Sequence, residues 1–215
     1  RNAPMTSHHI SLVGGTKNTK YSSSISYYNQ QGIIINSSYE SLKARMTLDQ
    51  QISKKIKAGV TFNFANNISK GSAPSQGGGA STQYFLYQVL AYRPLFYSSS
   101  EEDENILLEK DSSYPYNPLK TIENQYSKVR SRQLNLNTYL NWDITKKLSF
   151  RATFAYNWRI DRREAFNNKD TYWGDPRYSA KHSNGNFSYK EWDGWSNEYT
   201  LTYRKKFRGH SISAM

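Results

Sequence analysis

Cysteine is missing altogether, which excludes disulfides and thiolate metal sites. Long hydrophobic runs are missing too: hydrophobic residues make up 36% of the chain and mean hydropathy is −0.85. Nothing approaches the ~18–20 consecutive apolar residues of a membrane helix. That excludes a helical membrane protein and leaves a membrane β-barrel open, because only every second residue of a barrel strand faces lipid. Acidic residues are the scarcer charge, 17 against 29 Lys and Arg, for a net charge of +12. Such a balance raises nucleic-acid binding. No nucleic-acid motif accompanies it, and Lys54, Lys55, Lys146, Lys147, Lys205, Lys206 and Arg208 stand at strand ends. Solvated turns explain them better, and no nucleic-acid partner is expected.

What is present is a hairpin written twice. Leu42–Phe64 and Leu134–Trp158 each hold two alternating strands around a Ser/Thr-Lys-Lys turn. Leu42, Ala44, Met46 and Leu48 share one face, then Ile56, Ala58, Val60, Phe62 and Phe64. In the second copy Leu134, Leu136, Leu140, Trp142 and Ile144 form the apolar row, broken only by Thr138. Leu148, Phe150, Ala152, Phe154, Tyr156 and Trp158 form the return row. Period two sustained this way suits a wall between two media. If Ile144 meets Leu148, and Ile52 meets Ile56, each turn keeps the two rows on one face. The aromatic content of 15%, rich in Tyr and Trp, suits interfacial girdles.

Further strands are predicted at Ser7–Val13, Lys20–Asn29, Trp195–Phe207 and His210–Met215, with glycines at Gly14 and Gly15 supplying the positive φ of the first turn. That makes about eight strands, with their short reversals all on one side. Long loops occupy the other side, at 66–128 and 159–194. Within the first, Ser81–Arg93 has helical spacing: Ser81 or Thr82 caps it, Phe85, Leu86, Val89, Leu90 and Tyr92 form its apolar face, and Pro94 stops it. The fold class is therefore an all-β, antiparallel transmembrane β-barrel segment with short periplasmic turns and long extracellular loops. The chain opens at Arg1 with neither an initiator Met nor a secretory signal, and the last strand is only a few residues long. Both ends read as cuts through a longer protein.

No catalytic constellation emerges. His8 and His9 are neighbours on a strand and point to opposite faces, so they cannot chelate together. Glu101, Glu102, Asp103 and Glu104 lack the glycine and spacing of a calcium loop. There is no nucleophile–base pairing and no phosphate-binding glycine loop. No enzyme, cofactor or metal is expected. The polar rows supply candidate lumen-facing residues Asn63, Asn135, Asn137, Asn141 and Arg151. Loop aromatics Tyr172, Trp173 and Trp192 are candidates for contact with a substrate or lid, and interfacial anchoring of the Trp residues competes with that reading.

The run Arg1–Gly32 (RNAPMTSHHISLVGGTKNTKYSSSISYYNQQG) resembles the early barrel of SusC/RagA-type TonB-linked outer-membrane transporters. Their signature has the form R-x-A-P, His, S-x-S-G-G, T-x-Y, S-x-x-Y-x-x-Q-x-G. Val13 stands where Ser is common in that signature. Ser38–Asn67, Gln83–Pro94, Asn117–Tyr126 and Glu198–Phe207 also resemble the family. The resemblance implies a 22-stranded barrel of Bacteroidota-type bacteria, embedded in outer-membrane lipid. It implies import of oligosaccharides, glycans or peptides, a SusD-like surface lipoprotein as lid, and energy from a TonB complex. The chain, 1–215, would be part of the barrel domain, without the plug domain and TonB box. Two alternatives stand beside it: a small standalone outer-membrane barrel or adhesin, and a soluble β-sandwich carbohydrate-binding module.

Overall fold

The computed structural model describes residues 2–71, 85–92, 117–171, 173–176 and 182–215. Its strands are β1 (Met5–Gly15), β2 (Thr19–Gln31), β3 (Ser38–Gln51), β4 (Ile56–Lys70), β5 (Gln125–Asp143), β6 (Leu148–Asn167), β7 (Asn184–Phe207) and β8 (His210–Ala214). They form one antiparallel sheet in which spatial order follows chain order. The sheet does not close on itself. Among the described residues no second sheet packs on either face, unlike a β-sandwich.

The two faces differ as the alternation predicts. One rung runs Ile10, Ile25, Ala44, Phe64, Leu134, Trp158. Further toward the turns come Met46, Phe62, Leu136, Tyr156 and Trp195, then Trp142, Phe150 and Leu201. These side chains are half-buried by their neighbours in the sheet or stand in the open, Ile10 and Trp195 being 75% and 67% exposed. Among the described residues Ile122 is the one buried hydrophobic side chain. The apolar rows therefore have no protein core to join. On β5 they run from Leu134 to Trp142, the ~9–11 residues that take a tilted strand across a bilayer. Tyr27, Trp158 and Tyr156 lie toward one border of this belt, Trp142 and Tyr203 toward the other.

All four short reversals lie at one end. The Ser/Thr at three of them has a specific task. Thr16 Oγ1 accepts from the amides of Asn18 and Thr19, Ser53 Oγ from Lys55 and Ile56, and Thr145 Oγ1 from Lys147 and Leu148, all at 3.0–3.3 Å. At these three reversals the hydroxyls, not glycines, turn the chain: Gly14 and Gly15 lie within β1, and among the described glycines positive φ occurs at Gly71 and Gly209. Gly14 instead makes room for the Tyr21 ring across the ladder. Ser53→Ala or Thr145→Ala should each cost about 0.5–1.5 kcal/mol, read as a shift in the urea midpoint of the folded receptor.

The strands run further than the pattern suggests. β4 continues to Lys70 and β5 starts at Gln125, so the first long connection is shorter than 66–128. The 159–194 loop is largely strand: β6 reaches Asn167 and β7 begins at Asn184. The predicted helix is present as α1 (Phe85–Ala91); its candidate caps and Pro94 lie outside the described residues. Leu86, Val89 and Leu90 are exposed there and Gln88 is buried, so the apolar stripe is not the buried side. A second helix, α2 (Pro118–Asn124), leads into β5. Asn117 Oδ1 caps it by accepting from the Leu119 and Lys120 amides, with Pro118 at the first turn.

Candidate functional site

The opposite face of the sheet is polar, and it gathers the five strand residues singled out above. Asn63 pairs directly with Asn135, and Asn135 with Asn157. Asn137 follows on the next rung of that face, opposite Thr61 and Ala155. Nearer the turns Asn141 pairs with Arg151. One rung above, Tyr139 reaches across Gly59 and donates its hydroxyl to Asp49 Oδ1 at 2.6 Å. The Arg151 guanidinium lies over the same ring, 5.6 Å from its centroid.

Two depressions on this face share Gln133 and Asn135. One, of about 290 Å³, is bounded by Ser24, Lys43, Arg45 and Asn63. The other, of about 390 Å³, is bounded by Asn157, Arg159, Trp192 and Gly194. Together they make one groove from β2 to β7. A Cβ at Gly194 would meet nothing within 4 Å, so the absent side chain leaves the floor open beside Trp192. Arg159 pairs across the ladder with Trp192, its guanidinium 5.6 Å from that ring centroid. Asp161 holds Arg159 from the other side through contacts of 2.8 and 3.0 Å. Burial opposes the charge on Asp161, but the Arg159 contacts win and keep its carboxyl below the usual range. A flat indole, a fixed guanidinium and a row of amides suit a polar, hydrogen-bonding solute with apolar patches, such as a sugar or a peptide backbone.

Trp192 thus sits in a strand, beside Asn135. The structure does not bring Trp173 to it. Trp173 lies in the β6–β7 connection, where its carbonyl accepts from Asn184 Nδ2 at 2.7 Å. Asn184 opens β7, roughly 25 Å along the strand from Trp192. Tyr172 lies outside the described residues. The sequence reading missed Arg159, Asn157, Gly194, Lys43 and Arg45 as neighbours of the Asn row. Their shared parity with Asn135 was the available signal. His8 and His9 lie on opposite faces, His9 Nδ1 at 2.7 Å from Ser26 Oγ.

An open antiparallel meander with one exposed apolar belt and one polar face is a length of outer-membrane β-barrel wall. No family model matches the chain. Among curated proteins it is similar to TonB-dependent receptor P26 of Formosa agariphila, 22% identical over 99% of the chain, and to TonB-dependent receptor P3 of the same organism, 24% identical over 96%. The chain spans about a fifth of the length of each, 20%. Among solved structures, the RagAB peptide importer in its "open-open" state matches 98% of the chain with a TM-score of 0.67 and 16% identity. The "closed-closed" state matches 95% with a TM-score of 0.63 and 17% identity. The chain covers 23% and 22% of those structures. The resemblance to SusC/RagA-type TonB-linked receptors is borne out, and the chain corresponds to an outer-membrane stretch of such a barrel.

Proposed function

We propose that the protein to which this wall belongs is a TonB-driven importer of oligosaccharides, glycans or peptides, working with a SusD-like lipoprotein lid. The continuous groove from Lys43 to Trp192, on the face opposite the apolar belt, is the observation that carries this reading. In a closed barrel that face looks inward. Asn63, Asn135, Asn137, Asn141 and Arg151 then line the lumen or meet a plug. The importer named for the similar RagAB structures carries peptides, which supports a polymer with repeated amides as one substrate class. The chemistry is transport: the groove's amides and Trp192 replace water around a passing solute, and no covalent step is needed.

The test uses the full-length receptor in its native membrane. Y172A/W173A/W192A should lower uptake of a labelled oligosaccharide or peptide mixture several-fold, or release the lipoprotein during purification. R159A alone should produce part of the uptake defect, since Arg159 fixes the Trp192 side of the groove. Unchanged uptake together with unchanged lipoprotein retention in the triple variant would sink the assignment.

A further inference from the structure

We infer that the outer surface of this wall carries a binding site for the phosphate groups of an outer-leaflet glycolipid. The site lies on the apolar side of the sheet, directly above the belt. Above Leu134 the outward positions of β5 become Arg132, Arg130 and Lys128 in succession. Lys70 stands opposite Lys128, and Arg162 opposite Arg130. Two like-charged pairs thus face each other directly across the ladder. That arrangement destabilises a sheet unless an anion lies between the charges.

The local acids offset only part of the cluster's charge. Glu164, opposite Lys128, forms an ion pair with Arg162 at 2.6 Å and accepts from the Tyr126 hydroxyl at 3.1 Å. Glu191, beside Ile160, is held by the Trp158 indole at 2.7 Å and the Tyr189 hydroxyl at 2.9 Å. Those two donors keep its carboxyl below the usual range, and each holds one of its two oxygens. Glu40 lies opposite Ile68, on the flank. Among the described residues no ion pair engages Lys70, Lys128, Arg130 or Arg132, and Arg130 Nε is buried without a hydrogen-bond partner.

Height selects the occupant. Successive outward residues of a strand are ~7 Å apart, so Arg132, Arg130 and Lys128 lie about 7, 13 and 20 Å along the strand from Leu134, or roughly 5, 9 and 14 Å above the belt at a ~45° tilt. Arg132 thus falls in the ~5–7 Å headgroup layer that flanks the ~30 Å hydrocarbon core, and Arg130 and Lys128 stand just beyond it, where the larger head of a glycolipid extends. A soluble anion would not require cations on the lipid side. Phosphates on a lipid anchored beside the belt meet them as their chains meet Leu134 and Trp158. Guanidinium groups suit phosphate because they bind two oxygens at once. Tyr126 and Phe166, one outward rung above Lys128, and Phe187, on its rung, are exposed on the same face, with Arg162 5.1 Å from the Phe187 ring centroid. These flat surfaces suit the sugars that such a headgroup carries.

The inference stands whatever solute the receptor imports. Its test uses the full-length receptor in detergent, stripped of lipid and checked by gel mobility for a folded barrel. Bisphosphorylated lipid A is the probe, with dephosphorylated lipid A as the matched control, and binding is read by native mass spectrometry. Removing three surface cations should weaken binding by at least about tenfold in K128Q/R130Q/R132Q. Wild-type receptor should prefer the phosphorylated lipid by a similar factor, and added salt should erode that preference. R132Q alone, which keeps the other cations, should lose about threefold and serves if the triple variant does not fold. Equal binding of the two lipids, or unchanged binding in the folded variants, overturns the site.

Discussion

Phe154→Arg should cost the folded receptor about 2–4 kcal/mol, whereas Ala155→Arg, one residue along, should stay within about 0.5 kcal/mol. Phe154 lies opposite Thr138, midway between the Leu134–Trp158 and Trp142–Phe150 rungs, and is 36% exposed on the apolar face. An Arg there must snorkel through the middle of the belt. Ala155 lies opposite Asn137 on the polar face, where a guanidinium stays hydrated. Urea or guanidinium unfolding of the receptor in lipid vesicles gives both values. A reversal of the two costs would show that the faces are inverted and that the polar row meets lipid.

Gly59→Val should cost about 1–3 kcal/mol, most of which Tyr139→Ala should restore. Tyr139 lies flat over Gly59 to reach Asp49, and a Cβ at Gly59 would overlap both the ring and the carboxylate. The ring must leave, breaking its bond to Asp49 and its contact with Arg151. This is an aromatic filling the space a strand glycine leaves. In the double variant the ring is gone and Val, a good strand former, has room. If Gly59→Val costs the same with and without Tyr139, the ring is not what the glycine accommodates.

The wall was legible in the sequence because one of its faces meets an apolar medium. From Leu42 to Phe64 and from Leu134 to Trp158 the outward residues are apolar apart from Gln50 and Thr138 and the inward ones polar or small, so period two marked the strands, their faces and the hairpin register. Above the belt neither face meets an apolar medium, and that contrast disappears. Arg159–Glu164 carries charge on both faces, and Gly185 and Gly194 interrupt β7, so this strand pair resembles a loop until its ladder is seen. Helix α2 did carry a signal: Asn117 followed by Pro118 is a cap and first turn. The groove was half legible. Its Asn row shares the parity of the polar face, but Arg159 and Trp192 join it only through the β6–β7 pairing, which no local pattern specifies.

The belt is not level with the rungs. On β3 it opens at Leu42, which shares a rung with Glu191 of β7, yet on β7 it opens at Trp195, four residues closer to the turns. Strands that lean in the membrane produce this drift. A line drawn along one rung is therefore a slope: Trp192 stands about 13 Å higher, relative to the lipid, than Lys43 at the other end of the same groove. A solute handed along that rung would descend as it moved sideways, as on a spiral ramp.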